Sequence, residues 1–222
     1  MLSTHRTRAL TGVDEHGGEA RTYAIDEDLI LKVQRPPQLR PRTRLKKKAF
    51  FLQRLEGTDG VRVLRVLGHG SYAPGMEYTL MTRLPGIAVR DAELTGETRR
   101  QDLFDLGAMM RRIHGVPQAP LLESRLFHRD HSPVDVRIRL GELFETVLAL
   151  VEARPEPWDL PLSARAVAQT AMRALPDADV TVTLHSNPGP EHVFVNPMTG
   201  RLSGVIDFGD AYFGHPANDL RQ

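Results

Sequence analysis

The spacing of apolar and polar positions changes character part-way along the chain. Residues 22–26 and 29–33 are two short apolar runs around the acidic turn Glu27-Asp28, the pattern of a β-hairpin. Pro36-Pro37 and Pro41 close the second run, because proline cannot donate to a strand ladder. Residues 43–55 carry Leu45, Ala49, Leu52 and Leu55 at helical spacing, and Gly57 and Gly60 stop them. Residues 61–68 and 77–83 are the next two strands, joined by a loop over 70–75. Leu84-Pro85-Gly86 then breaks the pattern. Beyond it, helices are predicted over 97–114 (Leu103, Leu106, Met110 and Ile113 on one face), over 133–153 (Val136, Leu140, Leu143, Val147, Leu150 and Val151) and over 163–175. The last forty residues return to short strands at 180–184, 192–195 and 202–206, separated by the loop 185–191 and the turn 196–200. The first 20 residues are mixed polar and predict no element. The expected architecture is α+β in two lobes: a β-rich small lobe over residues 1–86 and a mainly helical large lobe over 87–222.

Composition narrows the function classes. The chain has 222 residues, with 29 Lys+Arg against 28 Asp+Glu and a net charge of +1. That balance disfavours a nucleic-acid-binding protein. There are 0 cysteines, which excludes disulfide scaffolds, thiolate zinc sites and cysteine nucleophiles. No apolar run approaches the roughly 20 residues of a membrane span, and residues 1–18 hold no apolar signal segment, so a cytoplasmic protein without membrane contact is expected. One local asymmetry stands out. From Leu29 to Leu55 there is no acidic residue but nine Lys and Arg. That run reads either as a phosphate or nucleic-acid patch or as a solvated helix face. His128, Asp130 and His131 cluster without zinc-type spacing, so a metal hydrolase is not favoured.

The chemistry-bearing stretch is Leu184-His-Ser-Asn-Pro-Gly-Pro-Glu-His-Val-Phe-Val195, followed by Gly204-Val-Ile-Asp-Phe-Gly-Asp210 and Gly214-His-Pro-Ala-Asn-Asp-Leu220. A carboxylate leaving an apolar strand beside a polar loop suits a metal-phosphate site. These segments resemble the catalytic and metal loops of the aminoglycoside phosphotransferase/choline kinase family, small-molecule relatives of protein kinases. The order upstream agrees: Leu31-Lys-Val33 resembles the phosphate-gripping strand, and Glu77 to Gly86 the hinge. Leu106 to His114 resembles the helix ending in Leu-His. The resemblance spans about residues 20–222. It implies a two-lobed protein-kinase-like fold, ATP or GTP with Mg²⁺ as cofactors, and a small-molecule hydroxyl such as that of an antibiotic as acceptor.

Residue by residue, the resemblance implies that Lys32 contacts the α/β-phosphates, with Thr82 and Leu84 at the hinge. Asp207 would bind Mg²⁺, with His192 at the second metal position, as in macrolide kinases. Asn187 stands at the catalytic Asp position and His185 organises the catalytic loop. Asp219 would brace that loop from within, and His114 would be a helix-end histidine with core contacts. Asp210 would approach metal or acceptor, or lie solvated. Acids of the helical lobe (Glu142, Glu145, Glu152, Glu156 and Asp159) would either suit a cationic acceptor or form solvated faces.

Several positions depart from the family pattern. Asn187 cannot accept a proton as a carboxylate does, and Pro188 removes a backbone donor. Lys48 occupies the position of the small-lobe helix glutamate and would repel Lys32 if close. His192 is a poorer Mg²⁺ ligand than an amide oxygen. Gly17-Gly18 is a thin phosphate-covering loop. The chain also stops soon after Asp219, where the family continues with further helices. That predicts a truncated large lobe with exposed apolar surface and a homodimer through it. The expected activity is therefore a phosphotransferase with impaired catalysis, the alternative being a degenerate binding or regulatory module.

Overall fold

A computed structural model describes residues 10–14, 20–35, 45–130, 136–154, 162–175 and 181–220. Gly17-Gly18, Pro36-Pro37, Pro41, His131, Glu156 and Asp159 lie outside them. The described residues up to Thr82 include an antiparallel five-stranded sheet in the order β1-β2-β3-β5-β4. Its strands are β1 (Leu10–Asp14), β2 (Ala20–Ile25), β3 (Leu29–Gln34), β4 (Val66–Ala73) and β5 (Met76–Thr82). The β2-β3 hairpin turns at Asp26, whose backbone is left-handed at φ 50°. Helix α1 (Leu45–Leu55) packs on β4 and β5. Leu45, Ala49, Leu52 and Leu55 are all buried, as their helical spacing predicts.

Two strands differ from expectation. β1 forms from Leu-Thr-Gly-Val-Asp, which has too little apolar pattern to announce itself, because β2 supplies its ladder. The strand expected over 61–68 starts only at Val66 and runs on through the supposed loop to Ala73. The reason is where the hydrogen bonds go. Arg62 turns away to the other lobe, its carbonyl accepting from the Val205 N–H at 3.1 Å and its guanidinium donating to the Leu202 carbonyl at 2.6 Å. Gly70 and Ser71 meanwhile pair with Tyr78 and Glu77, so the turn shrinks to Pro74-Gly75.

After Gly86 the chain has left the five-stranded sheet. β6 (Ile87–Ala88) pairs with β8 (Val193–Val195), and β8 with β9 (Leu202–Val205). Gly86, at φ 103°, passes so close to the Val195 carbonyl that no Cβ fits there. Helices α2 (Gly96–His114), α3 (Gln118–Glu123), α4 (Val136–Glu152) and α5 (Ala164–Ala174) follow, and β7 (Val182–Leu184) pairs with β10 (Tyr212–Gly214). α2 is capped by the Thr95 hydroxyl and α5 by Ser163. The apolar faces predicted for α2 and α4 are only partly covered. Met110 and Ile113 are buried, but Leu103 is 63% exposed and its neighbour Phe104 73%; on α4, Val136, Leu140 and Leu148 are buried while Leu143, Val147 and Leu150 are not. Among the described residues no helix is long and apolar enough to cross a membrane.

The two lobes share one hydrophobic core. Phe51, Leu52 and Leu55 of α1 meet Met109 and Ile113 of α2, Val205 of β9, and Phe208. Phe51 lies edge-on to Phe127 (5.6 Å between ring centres) and to Phe208 (5.4 Å). This aromatic cluster seats α1 against the segment that carries Asp207. Replacing Phe51 by alanine is therefore expected to cost about 3–5 kcal/mol of folding stability in urea unfolding. A loss below about 1 kcal/mol would show that the lobes are joined by other contacts.

Candidate active site

A cleft of about 400 Å³ runs between the five-stranded sheet and the β8-β9 hairpin. Its walls are apolar, with Ala24 and Ile30 above and Leu84, Phe194 and Ile206 below and behind. Lys32 and Lys48 stand in the same lining. Lys32 faces the cleft because it lies two residues beyond Ile30 on β3, and alternate residues of a strand share a face. Leu84 lines the cleft beside Arg83. Thr82 does not. Its N–H donates to the Arg65 carbonyl and its hydroxyl accepts from the Arg65 N–H, both at 2.9 Å, so its polar groups are spent on the neighbouring segment. The hinge residues the structure turns inward are Arg83 and Leu84.

Lys48 does not sit against Lys32 in unrelieved repulsion. Its ammonium donates to Oδ1 of Asp207 at 2.7 Å, across 159 residues of sequence. The lysine side chain is 3% exposed and the aspartate 38%. Asp207 follows β9 in left-handed backbone (φ 68°), a conformation that costs a non-glycine residue energy and holds the carboxylate at the cleft. The Lys48 ammonium, and more weakly that of Lys32, keeps Asp207 ionised far below the usual carboxylate range, against the opposing effect of burial. Two of the three consecutive lysines, Lys47 and Lys48, are buried. Lys46 and Arg54 are exposed, so the described part of the basic run is a solvated face only in part.

The loop from His185 to His192 is braced from beneath. Asp219 accepts from the His185 N–H at 3.0 Å, from the Ser186 N–H at 2.6 Å, and shares a 2.8 Å hydrogen bond with Nε2 of His114. His185 is 0% exposed and stacks edge-on against Phe208 at 4.4 Å. Its Nδ1 accepts from the Asn187 N–H at 3.1 Å, which leaves Nε2–H to donate to the Ile206 carbonyl at 2.8 Å. Burial lowers its pKa to about 4. Both ring nitrogens are spent inside the protein, so His185 ties the catalytic loop to the strand before Asp207 and touches no substrate. His192 in turn donates from Nδ1 to the Asn187 carbonyl at 2.9 Å, placing its Nε2 3.6 Å from Oδ2 of Asp207. The loop therefore brings His192 and the Asn187 backbone beside Asp207, which Lys48 of the cleft lining contacts.

The other expected residues fall elsewhere. Asp210 is exposed. Glu145 and Glu152 both pair with Arg165 and fasten α4 to α5. Asp130 is bound by Arg139, and His128 stacks on Tyr212 at 5.0 Å. What the sequence reading missed is the partner of Lys48. The lack of any acid in α1 was the available signal.

The donor set does not suit the magnesium ion that the resemblance implies. One oxygen of Asp207 is held by an ammonium. The second metal position offers an imidazole nitrogen, where a hard cation prefers oxygen. Among the described residues no three His, Asp or Glu side chains converge to hold a metal.

The profile of the phosphotransferase enzyme family matches residues 13–221, and the chain belongs to that family. Its fold is the protein-kinase-like fold of the aminoglycoside phosphotransferases. It is similar to the GDP complex of aminoglycoside 2'-phosphotransferase-IIIa, at 17% identity and a TM-score of 0.63, covering 96% of this chain and 71% of that one. It is similar also to the streptomycin–ATP ternary complex of APH(2")-IIa, at 16% identity and a TM-score of 0.58, covering 95% and 70%. Aminoglycoside-3'-phosphotransferase of type VIII matches at 18% identity with a TM-score of 0.54, covering 96% and 75%.

Two outcomes follow from the brace. Because the folded His185 ring resists protonation, the unfolded chain takes up the extra proton first. Its stability contribution is complete above pH 6.5 and is lost as the pH falls through about 4. Urea unfolding should show a loss of up to about 3 kcal/mol across that window, absent in His185→Asn. Asp219→Asn turns an acceptor into a partial donor facing two N–H groups, and should cost about 2 kcal/mol or more at neutral pH. An Asp219→Asn protein as stable as the parent would mean the loop is held by other contacts.

Proposed function

We propose that this chain binds a nucleoside triphosphate, ATP or GTP, in the interlobe cleft, and that it transfers the γ-phosphoryl group only slowly to a hydroxyl of a small molecule such as an antibiotic. In this reading residues 1–86 are the nucleotide lobe and residues 87–222 supply the catalytic loop. The observation that carries it is the cleft itself, whose apolar walls are set to take a flat base and which holds two lysines for phosphates. Transfer breaks the bond from the γ-phosphorus to the bridging oxygen and forms one to the acceptor oxygen, while the hydroxyl proton passes to a phosphate oxygen or to water and the nucleoside diphosphate departs. Phosphoryl transfer depends mainly on positioning and electrostatics, so a site without a base retains some rate. The amide of Asn187 can orient the hydroxyl by accepting its hydrogen bond, but it cannot take the proton. The loss of a positioned base is worth about 10²–10⁴ in rate.

A second reading has its own support. Asn187 together with the Lys48–Asp207 pair favours a nucleotide-binding or regulatory module that does not turn over. Calorimetry with ATP and GTP tests the shared part, and no binding at millimolar nucleotide removes both readings. Product assays separate them. Asn187→Asp is expected to raise ATP or GTP hydrolysis, and phosphorylation of an aminoglycoside panel that includes streptomycin, by about 10² or more. If the native chain already turns over briskly and Asn187→Asp combined with Lys48→Glu adds nothing, catalysis is not impaired. Exposed Leu103 and Phe104 on α2 support self-association of the large lobe, with light scattering showing two chains if so and one if not.

A further inference from the structure

The Lys48–Asp207 contact has an electrostatic consequence. The family pattern puts a glutamate where Lys48 stands. Exchanging a glutamate for a lysine moves the local charge by two positive units, which is the charge of one divalent cation. Asn187 moves it one unit further in the same direction. Lys48 is no remote surface lysine. It is almost fully buried, lines the cleft with Lys32, and lies 2.7 Å from an oxygen of the carboxylate that would otherwise receive the metal. His192 leaves only a ring nitrogen at the other oxygen, 3.6 Å away.

We infer that the Lys48 ammonium is a built-in cation at the phosphate end of the cleft, held there by Asp207, so that a nucleoside triphosphate binds without a divalent metal. This rests on the nucleotide-binding reading above and deepens it. Asp207 then acts as the anchor of a lysine. Lys48 shares the cleft lining with Lys32, so two ammonium-bearing side chains stand where the phosphates would lie. An ammonium is a compact point charge with three donors, suited to phosphate oxygens. A divalent ion would have to displace it from Asp207 and then face its repulsion at short range. The site therefore accepts bare polyphosphate and resists the metal.

Calorimetry of ATP and GTP with excess EDTA, and again with excess MgCl₂, tests the nucleotide arm. The native chain is expected to bind with affinities within about threefold of each other. Lys48→Gln and Lys48→Glu are expected to lose about tenfold or more in EDTA, with Mg²⁺ restoring the loss in Lys48→Glu. Native binding that weakens more than about threefold in EDTA overturns the inference. A second arm uses Mn²⁺ alone, followed by its electron paramagnetic resonance signal, and needs no nucleotide. The native chain is expected to leave Mn²⁺ free, while Lys48→Glu gains a site that is lost again when Asp207→Asn is added. Mn²⁺ bound by the native chain through Asp207, or folded Lys48→Gln and Lys48→Glu chains no better than native at binding it, overturns the inference. If no nucleotide binds in either buffer, the nucleotide-binding reading fails and the Mn²⁺ arm decides whether Lys48 excludes the metal.

Discussion

Lys48 of α1 and Asp207 beyond β9 meet at 2.7 Å, and the relation of the two lobes at the cleft turns on that meeting. A buried ammonium without a partner carries a large desolvation cost, so α1 is stable in its present place only if the metal-loop segment lies beneath it. The aromatic packing of Phe51 on Phe208, one residue after Asp207, brings the same two segments together by dispersion and burial. Charge and packing thus specify one docking of the small-lobe helix. The contribution of the pair to stability is smaller than its geometry suggests, because Asp207 keeps partial contact with water. Its main consequence is electrostatic: it decides what else can approach that carboxylate.

The catalytic loop is organised by a separate set of bonds. His114, Asp219 and His185 form a buried relay from the end of α2, through the turn after β10, to the loop and on to the Ile206 carbonyl. Both Asp219 oxygens and both His185 ring nitrogens have partners in it, which is what makes such a network rigid rather than costly. The strained backbone at Ser186 (φ 82°) and Asp207 (φ 68°) is held by these bonds on either side. The loop from His185 to His192 is therefore firmly supported. The groups that differ from the family pattern, Asn187, Lys48 and His192, all sit where charge would act on a phosphate or a metal.

Much of this was legible in the residues. The hairpin of β2 and β3, the core face of α1 and the catalytic-to-metal-loop order follow from local periodicity and from motifs that are short in sequence. Asp219 was readable as a brace because its neighbours in the motif fix its place. The misses share a cause. β1 and the far half of β4 contain polar residues and glycines, and they are strands only because a neighbour supplies their ladders. Leu103 and Leu150 carry helical periodicity, yet the described residues do not cover them, since periodicity records a face and not what lies against it. Thr82 and Arg83 are adjacent, and which of them faces the cleft depends on how Arg65 pairs with Thr82. Lys48 was the sharpest case: the sequence showed an acid to be missing but gave no indication of a partner 159 residues away.

The sign of the changes at the site matters more than their number. Loss of a base, loss of a glutamate and replacement of an oxygen ligand by imidazole could each be read as separate decay. On the resemblance, Asn187 and Lys48 shift the local charge in the same direction, and the lysine lies in contact with the carboxylate whose metal it would displace. Asp207 remains, and its strained conformation and ionised state are still maintained by the surrounding structure. A carboxylate at the phosphate end of a nucleotide cleft repels phosphate unless a cation sits on it. In this chain a covalently tethered cation does so, and it cannot be diluted or chelated away. On the metal-free reading proposed above, the arrangement trades the mobile charge that suits turnover for a fixed charge that suits binding.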